Sequence, residues 1–153
     1  LVTWLSKQET RNKIIIGCIK EALDQGRTLL VLSDRVDHLK YLHSQIPESG
    51  ILHGEVKGAE REEVLQSNRL VFASTKIAKE GLDKKTLNTV FITTPIADEG
   101  TFIQIMGRAQ RGQEPMVVVI EDEVDMCKAM CNKLRRILRK LDYPFKVMEV
   151  QID

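Results

Sequence analysis

The sequence contains no apolar run long enough for a membrane-spanning helix and no excess of charge of either sign. A helix that crosses a bilayer needs about 20 apolar residues, whereas the longest apolar runs here, 28–32 and 116–120, have the length of strands. Lys and Arg number 23 and Asp and Glu number 22. A net charge of +1 gives no bulk sign of nucleic-acid binding, so such binding must depend on local placement.

Cysteine is scarce and is not arranged for cross-linking. The three cysteines, Cys18, Cys127 and Cys131, form no Cys-x-x-Cys pair, and their number is odd. This pattern disfavours a disulfide framework and a zinc site, so we predict no metal centre and an intracellular, reducing compartment, either cytoplasm or nucleus.

What the sequence does contain is apolar mass for one core. It has 153 residues, of which 42% are hydrophobic and 29% charged, as in one globular domain. It begins at Leu1 rather than Met and shows no signal-peptide pattern. We therefore expect a piece of a longer protein, with residues 1–10 as a linker and residues 11–153 as the domain.

Short β-branched runs alternate with segments of helical periodicity along the chain. Strands are predicted at 28–32, 51–53, 70–73, 90–93 and 116–120, with helices between them and a trailing strand at 147–150 after Pro144. This alternation predicts a three-layer α/β sandwich with a mostly parallel central sheet and helices on both faces. Functional groups of such sheets gather at the carboxyl ends of the strands.

The segment 104–111 places two arginines three residues apart in a predicted helix. Arg108 and Arg111 then share one helical face, and Gly107 lets a phosphate or another backbone come close. Paired guanidinium groups suit a polyphosphate, because their forked donors match phosphate oxygens. The alternative is that both arginines are solvated or pair with Glu114 and Glu121.

The segment 74–83 follows a predicted strand directly. Ser74 and Thr75 offer hydroxyls and amides at a helix N-terminus, which suits phosphate, while Gly81 and Asp83 could lie beside a ribose. The alternative is a capped short helix that ends at a glycine.

Two further polar groups follow the first and second predicted strands, at 33–35 and 53–55. Both could contact a sugar–phosphate backbone. Taken singly they are ordinary turn residues, and Ser33 or Asp34 is predicted to cap the next helix.

In their order and spacing, these segments together resemble the C-terminal RecA-like domain of superfamily 2 helicases of the DEAD/DEAH type. Residues 29–42 resemble motif IV and its helix, and His53-Gly54 with Arg61 resembles the element that follows. Residues 72–83 resemble motif V, and Gln104-x-x-Gly107-Arg108-x-x-Arg111 matches motif VI. The resemblance covers residues 28 to about 121.

Two details refine this resemblance. Leu32-Ser33-Asp34-Arg35 is similar to motif IV of helicases from phages and large DNA viruses, so the protein could be virus-encoded. Gln104 stands where DEAD-box enzymes carry His, which argues against a strict DEAD-box RNA helicase.

The resemblance implies that ATP binds between two RecA-like domains. The first domain supplies the phosphate loop and the acidic motif for Mg²⁺, and residues 1–153 contain no Gly-x-x-x-x-Gly-Lys-Ser/Thr sequence. We therefore expect ATP and Mg²⁺ to be held mainly by an N-terminal RecA-like domain of the same chain. This piece alone is predicted to be inactive.

The resemblance also implies roles for individual residues. Arg111 would be the principal arginine finger, Arg108 a second γ-phosphate contact, and Gln104 would position the attacking water. The residues expected near the nucleotide are Glu80, Gly81 and Asp83. The residues expected on the backbone of a DNA or RNA strand are Ser33, Arg35, His53, Gly54, Ser74 and Thr75.

Two rival functions stay open at this point. One is a non-catalytic module that binds nucleic acid or protein, and the other is a double-stranded DNA translocase that does not unwind. No membrane partner is expected. The basic residues of the last predicted helix either complement its dipole or form a binding surface, and its predicted packed face carries Cys127, Cys131, Leu134 and Leu138.

Overall fold

The computed structural model describes residues 2–54, 56–96, 98–109, 112–122 and 125–142. The helices are α1 (Val2–Ser6), α2 (Glu9–Asp24), α3 (Val36–Gln45), α4 (Gly58–Ser67), α5 (Thr75–Gly81), α6 (Glu99–Ala109) and α7 (Asp125–Lys140). The strands are β1 (Leu29–Ser33), β2 (Gly50–Leu52), β3 (Leu70–Ser74), β4 (Thr89–Ile92) and β5 (Met116–Val119). Within these ranges, no helix has the length and apolar character needed to span a membrane.

The five strands form one sheet in the order β2-β3-β1-β4-β5, and every pairing is parallel. Leu52, Ala73, Leu32, Ile92 and Val119 lie in one row across the sheet. All five carboxyl ends therefore meet at one edge. The predicted α/β sandwich with a parallel sheet is confirmed.

The strand order decides which face each helix covers. The connection from β1 to β2 runs in one direction along the sheet, and the connections through α4, α5 and α6 run in the other. Because parallel crossovers are right-handed, α3 is placed on one face and these three helices on the other. The core accordingly has two clusters. One packs Ile15 of α2 and Leu39 of α3 on Phe72, and the other packs α4 to α7 on the opposite face.

The described strands start and end within one residue of the predicted ones. The prediction missed α1, which lies in the segment expected to be a linker, and it missed one buried residue of α7. This helix buries Cys127, Cys131, Leu134 and Ile137, whereas Leu138 is only partly buried. The predicted packed face omitted the buried Ile137, while Leu138 packs against the same core cluster as predicted. The predicted strand 147–150 lies outside the described residues.

The N-terminal segment is folded against the domain. Leu5 of α1 is 1% exposed, and the Ser6 carbonyl accepts a hydrogen bond from the Asn12 side chain. The predicted boundary between residues 10 and 11 falls inside α2. The assignment of residues 1–10 to a linker stays a prediction, but these residues contribute to the core.

Candidate functional site

The parallel sheet brings the predicted polar segments to one edge. Ser33 and Ser74 are in register at the ends of β1 and β3, and His53 directly follows β2. The topological switch point of the sheet lies between β1 and β3, because α3 leaves β1 toward one face and α5 leaves β3 toward the other. Ligands of open α/β sheets bind at such a switch point.

The β3–α5 junction combines a used hydroxyl with an unused one. Ser74 is the N-cap of α5, and its Oγ accepts a hydrogen bond from the Ile77 amide at 3.2 Å. Thr75 Oγ1 is buried and has no hydrogen-bond partner among the described residues. A buried hydroxyl without a partner costs about 1–3 kcal/mol, so Thr75 offers a group that a ligand could satisfy.

The last turn of α6 places Arg108 against the end of α5. A Cβ built on Gly81 would lie 3.6 Å from Nη2 of Arg108. Gly81 also has φ +121°, a conformation that L side chains avoid. Arg108 Nε is buried without a hydrogen-bond partner in the described part of the chain. Motifs V and VI therefore meet here, with a guanidinium donor unused.

Arg61 links the segment after His53-Gly54 to α5. Its Nε and Nη2 donate to the Val56 carbonyl at 3.2 and 3.1 Å, and its Nη1 lies 3.5 Å from Glu80 Oε2. Half of the Glu80 side chain is exposed, so this ion pair contributes little to stability. Its effect is to join α4 to the last turn of α5.

The backbone after α5 is fixed by α4. The Gln66 side chain donates to the Asp83 carbonyl at 2.9 Å. The ammonium of Lys84 donates to the carbonyls of Leu65 and Asn68, each at 2.6 Å, and burial lowers the pKa of Lys84. The position of the Asp83 backbone is therefore set by the C-terminal end of α4.

Gly112, immediately after motif VI, has no room for a side chain. A Cβ there would lie 2.8 Å from the Thr86 carbonyl oxygen and 2.9 Å from that of Leu87. The Gly112 amide donates to the Leu87 carbonyl at 2.8 Å. The chain is thus clamped one residue after Arg111, although Arg111 itself lies outside the described residues.

A buried ion pair, which sequence reasoning missed, joins α2 to the segment after β5. Arg11 Nε and Nη2 lie 2.8 and 3.1 Å from the two carboxylate oxygens of Asp122, and Nη2 also donates to the Thr93 carbonyl. Only Nη1 lacks a partner. Arg11 lies four and eight residues before Ile15 and Ile19, and this spacing already indicated a buried position.

Ser33 is fully buried, and its hydroxyl is used inside the domain. Ser33 Oγ lies 2.8 Å from His38 Nδ1, and His38 Nε2 lies 2.8 Å from Asn12 Oδ1. The predicted capping of α3 by Ser33 or Asp34 is wrong. The N-cap is Arg35, without a side-chain cap, because the Ser33 hydroxyl faces the buried imidazole.

The remaining predicted site residues differ in exposure. His53 is half-buried, and the exposed members of the set are Arg35, Gly54, Glu80, Gly81, Asp83 and Gln104. Glu55 lies outside the described residues. Glu121, considered above as a partner for the motif VI arginines, instead pairs with Arg135 of α7.

The groups gathered at this edge suit phosphate oxygens. Guanidinium, hydroxyl and amide donors predominate, and donors of this kind bind anionic oxygens. In the described ranges, no cluster of three or more His, Cys, Asp or Glu side chains could hold a metal ion.

Comparison with known proteins agrees with this arrangement. The family model described as "Helicase conserved C-terminal domain" matches residues 8–113. The "Putative ATP-dependent RNA helicase L396" of Acanthamoeba polyphaga mimivirus is 30% identical over 154 residues, covering 94% of this chain and 29% of that protein. UvrABC system protein B of Bacillus licheniformis is 28% identical, covering 72% of this chain and 19% of that protein.

Solved structures show the same fold. T4 UvsW matches 92% of this chain and 34% of its own, with a TM-score of 0.69 and 17% identity. The C-terminal part of the Fun30 ATPase domain matches 78% of this chain and 43% of its own, with a TM-score of 0.68 and 16% identity. The chain spans less than a third of either curated relative. Since the family model covers more than half of its residues, this chain belongs to the helicase C-terminal domain family.

Proposed function

We propose that this chain is the C-terminal motor domain of an ATP-dependent nucleic-acid helicase. It works with an N-terminal RecA-like domain of the same polypeptide, which holds most of the ATP and Mg²⁺. The observation that carries the proposal is the placement of the Arg108 guanidinium beside Gly81, with Arg108 Nε buried and without a partner among the described residues. Arg108 forms no ion pair with a carboxylate in the described part of the chain, and a guanidinium in that state is suited to a phosphate.

The nucleotide-facing side is formed by α6 and the end of α5. Gln104 and Arg108 are four residues apart on α6 and share a face. By its spacing, Arg111 extends this set as the principal arginine finger. Arginine stabilises the charge that develops on the transferring phosphoryl group. Glu80, Gly81 and Asp83 flank the same place and are proposed to contact the rest of the nucleotide.

The strand-facing side is formed by the ends of β1, β2 and β3. Arg35, His53, Gly54, Ser74 and Thr75 are proposed to contact the backbone of DNA or RNA, with the buried Thr75 hydroxyl as the best-supported donor. Such contacts position a strand without reading its sequence. ATP binding closes the two domains and hydrolysis releases them, so the grip on the strand alternates.

The test is Arg111→Ala in the protein that joins this chain to its first RecA-like domain. We expect ATP turnover to fall by about 10³-fold or more, while ATP binding is largely retained because the other domain supplies most contacts. Arg136→Ala, on the exposed side of α7, removes the same charge elsewhere and should leave turnover unchanged. Near wild-type turnover in Arg111→Ala would contradict the finger assignment.

The same experiment separates the rival functions. A protein that binds strands but hydrolyses no ATP, with or without Arg111, would be a non-catalytic binding module. Turnover stimulated by duplex DNA without strand separation would indicate a translocase. Residues 1–153 alone are expected to hydrolyse no ATP, because they contain no phosphate-loop sequence.

A further inference from the structure

A chain of hydrogen bonds, buried at its centre, runs from α1 to the turn after β1. It passes from the Ser6 carbonyl to Asn12 of α2, then to His38 of α3, then to Ser33, and ends at the Arg35 amide. Asn12, His38 and Ser33 are at most 3% exposed. These hydrogen bonds end at the turn that is proposed to contact the strand. The proposed function gives His38 itself no role.

The donors and acceptors of this chain have one consistent order. The Asn12 amide nitrogen donates to the Ser6 carbonyl at 3.0 Å, so Asn12 Oδ1 faces His38 and can only accept. His38 Nε2 must then carry the proton, which leaves Nδ1 as an acceptor for the Ser33 hydroxyl. The Ser33 oxygen still accepts the Arg35 amide at 3.2 Å.

The surroundings favour the neutral imidazole that this order requires. Burial, and then the nearby Arg11 guanidinium, lower the pKa of His38 to about 4. Both carboxylate oxygens of Asp122 already bind this arginine. A protonated imidazole would donate from Nδ1 and would reverse the Ser33 bond.

The β1–α3 turn is held from two sides. On one side the Ser33 hydroxyl accepts the Arg35 amide. On the other, the Asp34 amide donates to Thr94 Oγ1 at 3.1 Å. Arg35 is an N-cap without a capping side chain, and these two bonds help to fix the turn in its place.

We propose that His38 is a positioning residue for strand binding. By accepting a hydrogen bond from the Ser33 hydroxyl, it fixes the 33–35 turn and directs Arg35 toward the nucleic-acid backbone. This inference rests on the proposed function. Ser33 then acts from the interior by shaping the turn, which accounts for its complete burial in a segment that resembles motif IV.

The test replaces His38 by two amide side chains, each of which retains one of the two hydrogen-bonding groups of the imidazole. His38→Asn keeps an acceptor near the Nδ1 position, and His38→Gln keeps a donor near the Nε2 position. In the two-domain protein, His38→Gln should weaken the binding of single-stranded DNA or RNA oligonucleotides about three- to tenfold, the value of one hydrogen bond. His38→Asn should bind nearly as tightly as wild type.

Ser33→Ala supplies the matched control. It should weaken oligonucleotide binding at least as much as His38→Gln does, because it removes the bond to His38 and also the acceptor of the Arg35 amide. The double variant should be no worse than Ser33→Ala alone, because the bond between residues 33 and 38 is already lost. Thermal unfolding of each variant identifies the temperature at which all are folded. Equal oligonucleotide affinity for wild type and folded His38→Gln would overturn the positioning role.

A measurement on the wild-type protein is independent of substitutions. The imidazole ¹⁵N shifts should show a neutral His38 with its proton on Nε2 at neutral pH, and the opposite tautomer would overturn the inference. Failure of the proposed function looks different, since a wild-type protein that binds no oligonucleotide would refute strand binding itself.

Discussion

Two polar systems share the carboxyl edge of the sheet, and they differ in how completely they are satisfied. Over β1 and β4, the side chains of Arg11, Asn12 and His38 are bonded within the domain, with Arg11 Nη1 as the exception. Over β3 and α6, the buried Thr75 hydroxyl and Arg108 Nε have no partner among the described residues. The first system holds the edge together, and the second has donors left for a ligand.

This difference distinguishes arginines that composition alone cannot tell apart. Arg11 binds a carboxylate and a carbonyl, and breaking a buried pair leaves an uncompensated charge. Arg108 lies beside a glycine backbone instead. Substitution should therefore reduce stability at Arg11 and activity at Arg108.

The largest expected effect comes from breaking the pair of Arg11 and Asp122. Arg11→Ala should lower the free energy of unfolding by about 3 kcal/mol, because the largely buried Asp122 is left without its cation. Urea denaturation measures the loss. Lys13→Ala, on the same helix and 71% exposed at its side chain, should change stability by less than about 0.5 kcal/mol. A small loss at Arg11 would mean that water already screens the pair.

Acidification should weaken the same system next. His38 has a pKa of about 4 in the folded domain against an ordinary 6.5, so the unfolded chain binds the extra proton more readily. This stability is fully present above pH 6.5 and is lost as the pH falls toward 4, by about 3 kcal/mol in total. Folded His38→Asn should show a flatter stability profile between these pH values, and an unchanged slope would contradict the assignment.

Arg108→Ala tests the second polar system, in which buried donors have no partner among the described residues. ATP turnover should fall by about 10²-fold through loss of a phosphate contact, while the melting temperature stays within a few degrees. A large loss of stability with little loss of turnover would place Arg108 among the structural arginines. Arg108→Lys keeps the charge without the forked donors and should recover only part of the turnover.

The smallest effect is expected at Thr75. Thr75→Ala should reduce strand-stimulated ATP turnover about three- to tenfold and basal turnover less, and Thr75→Ser should restore it. Because the hydroxyl has no partner among the described residues, Thr75→Val should not destabilise the fold. Equal losses of basal and stimulated turnover would mean that Thr75 does not contact the strand and serves only the start of α5.

Local patterns were sufficient for the strands, most helices and the four motif segments. Spacing of three and four residues pointed to the motif VI arginines, and strand ends indicated Ser33 and Ser74. The same reasoning failed at Ile137 of α7, because neighbouring apolar residues on a helix differ in burial only through the neighbour they face. It also proposed Ser33 as a strand contact, and it could not foresee that the Ser33 hydroxyl bonds to the buried imidazole of His38.

The sequence by itself determined the alternation of strands and helices, the family and the chemical types at the strand ends, since these depend on periodicity and short-range spacing. Only the tertiary structure decided which groups keep a partner. Arg11 and Asp122 are 111 residues apart, and they meet because right-handed crossovers and the strand order bring α2 and the end of β5 to one edge. Whether a buried polar group has a hydrogen-bond partner depends on such long-range contacts. A sequence pattern does not give the distance in space between residues that are far apart in the chain.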